Sequence, residues 1–192
     1  MMVKRFAFIL LCAIAAPVLQ SCAPAVVAGA GAAALMATDR RTGGVYIEDQ
    51  NIELKALGVL HPFNTAHVNA TSYNLTVLLT GEVPDEAVKK NIVDQVRAIP
   101  SVKNVIDEMQ IAGVSSMAAR GNDSLITSNV KTRMLNNKVF NATQVKVVTE
   151  ANVVYLMGLV TRAEGDEAVF VTRNSSGVAR VVPLFEYIAP AS

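Results

Sequence analysis

Few side chains in this 192-residue sequence are equipped for chemistry, and most of those are spaced for something else. Its two histidines, His61 and His67, have neither cysteine nor carboxylate near them at zinc-ligand spacing, and His61-Pro62 reads as loop, so no metal is expected. The acid pairs Asp85-Glu86 and Asp166-Glu167 are placed to open helices, where negative charge meets the positive end of the helix dipole. No nucleophile elbow, phosphate loop or His-Glu-x-x-His occurs. Gly29-x-Gly31-x-x-Ala34 has the spacing of a dinucleotide fingerprint, but no strand precedes it and no αβ unit follows. The sequence therefore predicts neither an enzyme nor a resident cofactor. One reactive group remains to be explained, the thiol of Cys22.

Lys4 and Arg5 followed by the apolar run 6–16 form a secretory signal, too short to serve as a stop-transfer span. Cys12 lies inside that run and leaves with it, so Cys22 has no disulfide partner. Leu19-Gln20-Ser21-Cys22 resembles a bacterial lipobox, with Gln20 a less usual middle residue. The resemblance implies cleavage after residue 21 and lipid on the Cys22 sulfur, with palmitate-like acyl chains. One such chain binds marginally and several bind stably, at about 0.8 kcal/mol per buried methylene. The alternative is an ordinary signal with a stray cysteine. Ala23-Pro24, with no Asp after the cysteine, resembles the pattern sorted to the outer membrane, facing the periplasm.

Residues 22–44 are rich in Ala and Gly, end in Asp39-Arg40-Arg41-Thr42-Gly43-Gly44, and read as a tether. Without residues 1–21 the chain has 15 basic and 16 acidic residues, a net charge of −1 that gives a nucleic-acid partner no support.

The rest repeats at an offset of 77 residues: Val68 matches Val145, Gly81 matches Gly158, Val83 matches Val160. Each copy reads as helix, strand, strand, helix, strand. In the first, residues 68–71 and 75–80 are short strands broken at 72–74; in the second, 145–149 and 153–157 are broken at 150–152. Gly81 and Gly158 close the second strands as structural glycines. A following helix is clear in copy one, where Val88, Ile92, Val96 and Ile99 share a stripe, and Pro100 stops it. In copy two, Gly165, Val169 and Val171 give poor helix propensity, and only the repeat register argues for helix. The last strands lie at 102–111 and 178–188, with Pro183 marking an edge or bulge. The expected fold class is α+β, two tandem αββαβ sandwiches of roughly 65 residues, each a three-stranded mixed sheet with two helices on one face. The boundaries are 45–111 and 122–188, with a linker at 112–121 and a tail at 189–192.

This order, the paired glycines each followed by valine two places on, and "SGVARV" before the last strand resemble the BON domain. Two copies after a lipidated cysteine, with "DRRTGG" and "VYLMGLVTRAE", are similar to dual-BON outer-membrane lipoproteins. The resemblance implies a non-enzymatic, membrane-anchored protein. It would bind anionic, phosphatidylglycerol-like phospholipid, chiefly through the first helix of the second domain, and support outer-membrane integrity.

Charge divides in the same sense. Residues 45–111 carry five basic and nine acidic residues, net −4, whereas 120–188 carry eight and six, net +2. An anionic surface attracts the second copy and repels the first. The helix in question is expected at 122–135, capped by Asn122 or Asp123, with Ile126, Val130 and Met134 facing the core. Leu125, Ser128, Asn129 and Thr132 then form another face flanked by Lys131 and Arg133, which suits a headgroup layer unless Leu125 packs on copy one. The alternative function is a protein adaptor, in which the acidic first copy docks a periplasmic or outer-membrane partner.

Overall fold

The computed structural model describes residues 39–190; the signal segment, Cys22 and the Gly29-x-Gly31-x-x-Ala34 motif lie outside the described residues. The first domain runs α1 (Gly43–Leu60), β1 (His67–Tyr73), β2 (Thr76–Val83), α2 (Glu86–Arg97), β3 (Asn104–Asp107) and β4 (Gln110–Ile111). The second runs α3 (Met117–Leu135), a single 3-10 turn (Ala142–Gln144), β5 (Val145–Glu150), β6 (Val153–Val160), α4 (Arg162–Arg173) and β7 (Arg180–Tyr187).

Each helix opens on a side-chain oxygen that satisfies a free backbone N–H. Thr42, Asp85, Ser116 and Thr161 accept from Val45, Val88, Ala119 and Glu164, and at Thr161 the Glu164 carboxylate returns the contact to close a capping box. In both sheets a hairpin is extended by a parallel strand reached over a helix: β1 and β2 are antiparallel with β3 parallel to β2, and β5 and β6 are antiparallel with β7 parallel to β6.

The central strands show why the domains stay together. Side chains alternate across a strand, so Val77, Leu79 and Val83 of β2 pack under α1 and α2 with Ile52, Ala56, Ile92 and Val96. Val154, Leu156 and Val160 of β6 likewise meet Ile126, Val130, Met134, Ala168 and Val171. The opposite faces carry a second apolar cluster: Leu78 and Tyr73 from one sheet bury against Tyr155 and Met157 from the other, with Ile106, Val148 and Leu184 around them. The two sheets therefore pack face to face, with helices on both outer sides. Burial on both faces is why these strands read as nearly unbroken hydrophobic runs. Polar contacts rim the seam, among them Lys146 Nζ to Glu53 Oε1 at 2.6 Å and Asn74 Nδ2 to Glu186 Oε2 at 2.8 Å.

Several sequence expectations need correction. The hairpin breaks are two-residue turns at Asn74-Leu75 and Ala151-Asn152, all with positive φ, so Ser72, Tyr73 and Glu150 belong to strands and are buried. The first sheet has four strands, because the segment 102–111 is interrupted where Asp107 Oδ1 accepts the Met109 N–H and Met109 turns into the core. The helix expected from residue 122 starts at Met117, since Ser116 supplies the cap. The Asp166-Glu167 pair sits within α4 rather than opening it. The helix at 162–173 forms despite its residues: a Cβ at Gly165 would lie 3.1 to 3.3 Å from Tyr187, Phe185 and Val160, so glycine lets α4 approach the sheet. Pro183 lies on β7, which pairs only with β6 among the described strands, as an edge position requires.

The end of the segment read as a tether is part of the folded body. Arg41 places its guanidinium between Asp39 and Asp49, at 2.6 and 2.7 Å, stacked over Tyr46 and Tyr73. Arg40 reaches the other domain, donating to both oxygens of Glu164 at 2.7 and 2.8 Å and to Leu159 O at 2.9 Å. This arginine, with help from the Thr161 N–H and against partial burial, holds the Glu164 carboxyl down at about 2, from an ordinary 4.5. A carboxyl depressed in the folded state stabilises the fold above its unfolded value and loses that contribution as pH falls through the folded one. Replacing Glu164 by Gln is thus expected to cost about 2 kcal/mol near pH 7. In urea titrations across pH, the gap between parent and variant should stay constant above about pH 5.5 and close between about 4.5 and 2. A gap that persists at pH 2 would mean that the pair is not its source.

Candidate functional site

The face of α3 turned away from the core is built by helical spacing alone. Asp123, Ile126, Val130 and Met134 are buried along one side, so the opposite side points to solvent from the second domain's outer layer. Leu125, Ser128, Asn129, Lys131, Thr132 and Arg133 are all exposed. Leu125 is 67% exposed, so it does not pack on the first domain.

The hydroxyls differ from expectation in one respect. Ser124, Ser128 and Thr132 donate to the carbonyls of Arg120, Ser124 and Ser128, and Asn136 donates to that of Thr132, forming a ladder of bonds one turn long along the outer face. Their protons are committed to the helix. Among the described residues, no hydrogen bond or ion pair engages the side chains of Asn129, Lys131 or Arg133, which leaves these as the available donors to an anionic oxygen.

Two apolar residues were missed by sequence reasoning. Leu135, 70% exposed, lies ten residues beyond Leu125 on the outer side of α3, about 15 Å along the axis. Phe170, 64% exposed, points outward from α4, opposite its buried Gly165, Ala168 and Val171. Both fall on the face that a helical wheel turns to solvent, and that signal was present. Only the packing of α3 beside α4 shows that they share one surface. Next to its last turn, α3 borders a cavity of about 440 Å³ at the domain seam, where Lys131, Lys146 and Arg41 surround a floor of Tyr73, Met134 and Val147.

The first domain has its own outward stripe on α1, where Ile47, Leu54 and Leu57 are exposed. Gly81 and Gly158, expected to be structural, are each pressed against backbone: a Cβ on Gly81 would sit 1.9 Å from His67 O, and one on Gly158 would sit 2.6 Å from Gln144 O.

Comparison with known proteins gives the chain a family. The BON-domain family model matches residues 53–113 and 122–189. The outer membrane lipoprotein DolP of Haemophilus influenzae is 35% identical over 174 residues, covering 88% of this chain and 90% of that protein. A 21 kDa hemolysin of Actinobacillus pleuropneumoniae is 31% identical, covering 78% of this chain and 79% of that one. The osmotically-inducible protein Y of Escherichia coli is 26% identical, with 72% of each chain covered.

Proposed function

Because the chain belongs to the BON-domain family and carries two copies of the domain in the DolP-type arrangement, we propose that it is a non-enzymatic outer-membrane lipoprotein. In this reading Cys22 bears the lipid anchor, the folded body faces the periplasm, and the outer side of α3 binds anionic phospholipid in support of envelope integrity. The observation that carries the reading is the α3 face itself, with exposed Leu125 and Leu135 among small polar groups, flanked by Lys131 and Arg133, which have no ion-pair partner among the described residues. It lies on the domain of net charge +2.

The magnitudes agree with such a role. One leucine entering the acyl boundary contributes about 2 kcal/mol, and each cation near an anionic surface about 1 kcal/mol. That is weak for a free protein. It suffices for a tethered one, since an anchor raises the local concentration to roughly the millimolar range. The DolP relative is named an outer membrane lipoprotein, which supports the same placement.

Sedimentation of the anchor-free body with vesicles tests the proposal. Phosphatidylglycerol vesicles should retain it and neutral phosphatidylcholine vesicles should not. Leu125→Glu, and separately the pair Lys131→Glu and Arg133→Glu, should each weaken retention at least about tenfold. Equal retention by both vesicle types, or none lost in either variant, would remove the α3 face from the function.

A second reading rests on α1. Its exposed Ile47, Leu54 and Leu57 lie on the domain of net charge −4, which an anionic bilayer repels. Such a stripe fits a protein partner in the envelope, with the first domain as adaptor. A photo-crosslinker at Leu54 that captured no protein in cells would leave this reading without support.

A further inference from the structure

His67 stands alone in the sequence, yet the fold brings two distant carboxylates to it. Glu82 is its directly paired neighbour across the β1–β2 ladder, with His67 Nδ1 3.2 Å from Glu82 Oε2. Glu150 arrives from β5 of the other domain, and one ligand atom from each of the three residues lies within 4.8 Å of the others. We infer that His67, Glu82 and Glu150 form a divalent metal site, suited to zinc, that joins the two domains across their seam.

Burial and charge argue for a cation there. Glu82 and Glu150 are only 7% and 8% exposed, and no lysine or arginine pairs with either among the described residues. Two carboxylates so placed, with a single imidazole beside them, present negative charge without a lysine or arginine to match it among the described residues, and buried charge is ordinarily paired or bound to metal. Arg120 lines the adjoining cavity, but its guanidinium donates to Ser115 Oγ and Ser115 O. Asp123 also borders that cavity, with its oxygens committed to the Ala151 and Asn152 N–H groups.

Outer contacts already orient the ligands. Ser115 N–H donates to Glu82 Oε2 at 3.1 Å and Asn69 Nδ2 donates to Glu150 Oε2 at 3.0 Å, so these bonds orient each carboxylate through one oxygen and leave further lone pairs for a metal. Zinc takes imidazole nitrogen and carboxylate oxygen at roughly 2.0–2.2 Å, so its ligand atoms stand roughly 3.3 Å apart. His67 Nδ1 and Glu82 Oε2, 3.2 Å apart, already have this spacing, and the three ligand atoms, all within 4.8 Å of one another, need to draw in by at most roughly 1.5 Å. The adjacent cavity of about 250 Å³, bordered by His67 and Glu150, provides an entry path and room for water in the fourth position.

Zinc binding to the full chain in detergent, stripped with chelator, tests the inference, with magnesium in excess to exclude weak surface sites. Titration should show uptake of one zinc ion, a rise in Tm of about 5 °C at saturating metal, and movement of the imidazole ring signals of His67 but not of His61. The double variant Glu82→Gln and Glu150→Gln should bind at least about tenfold more weakly. The ring signals decide the matter on the unaltered protein, whether or not that variant folds. Absence of uptake, movement of His61 alone, or undiminished binding by the folded variant would each overturn the site.

Discussion

Replacing Asp49 by alanine is expected to lower folding stability by about 3–5 kcal/mol, because it leaves two backbone N–H groups and the Ser72 hydroxyl without their acceptor and takes from Arg41 one of its two carboxylates. Asp49 is fully buried on α1 and serves three elements at once. Its oxygens accept from the backbone N–H groups of Asn74 and Leu75 at 2.8 and 2.9 Å, from Ser72 Oγ at 2.6 Å, and from Arg41 at 2.7 Å. The carboxylate thus pins the helix to a hairpin turn whose residues both have positive φ, and neutralises a guanidinium that stays charged, its pKa raised by these carboxylates against the effect of burial.

The second domain supplies a control. Asp123 occupies the corresponding place on α3 and accepts from the Ala151 and Asn152 N–H groups at 3.0 and 2.9 Å, and no arginine among the described residues pairs with it. Asp123→Ala should cost only about 1–3 kcal/mol. Scanning calorimetry should place the Asp49 variant about 6–20 °C below the parent and the Asp123 variant nearer to it. Equal losses would show that Arg41 adds nothing to the role of this carboxylate.

The second large effect is expected at Gly81. Its φ of +114° lies outside the range L side chains adopt readily, and an added Cβ would stand 1.9 Å from the His67 carbonyl oxygen, a backbone atom that moves only if β1 moves. Conformational strain of about 1–3 kcal/mol and overpacking of similar size make Gly81→Ala a loss of about 3–5 kcal/mol. Gly158, its equivalent in the repeat, lacks the positive φ and meets Gln144 O at 2.6 Å, so Gly158→Ala should cost about 1–3 kcal/mol. Urea unfolding of the two variants provides the comparison. If Gly158→Ala were the more damaging, backbone conformation would not be what holds glycine at residue 81.

The repeat itself, the α+β class, the helix at 162–173 and the stripe of Ile126, Val130 and Met134 were all legible in the sequence. Periodicity, caps and turn residues act over a few positions, and the 77-residue offset transfers one copy's pattern to the other. The exposed residues of α3 followed from the same geometry: a helix that buries one stripe must present the opposite one.

What lay beyond sequence reasoning are relations between distant residues. Nothing in the order of residues shows that Leu78 and Tyr155 meet across two sheets, that Arg40 reaches Glu164, or that His67 finds Glu82 and Glu150. Period-2 alternation says which side of a strand a residue faces, but not what is packed there, because that depends on how two nearly identical sandwiches bury their second faces. Local composition determined two modules and a cationic outer helix. Only tertiary packing decided that the modules stand sheet to sheet, with the outer face of that helix exposed and a half-buried histidine at the seam.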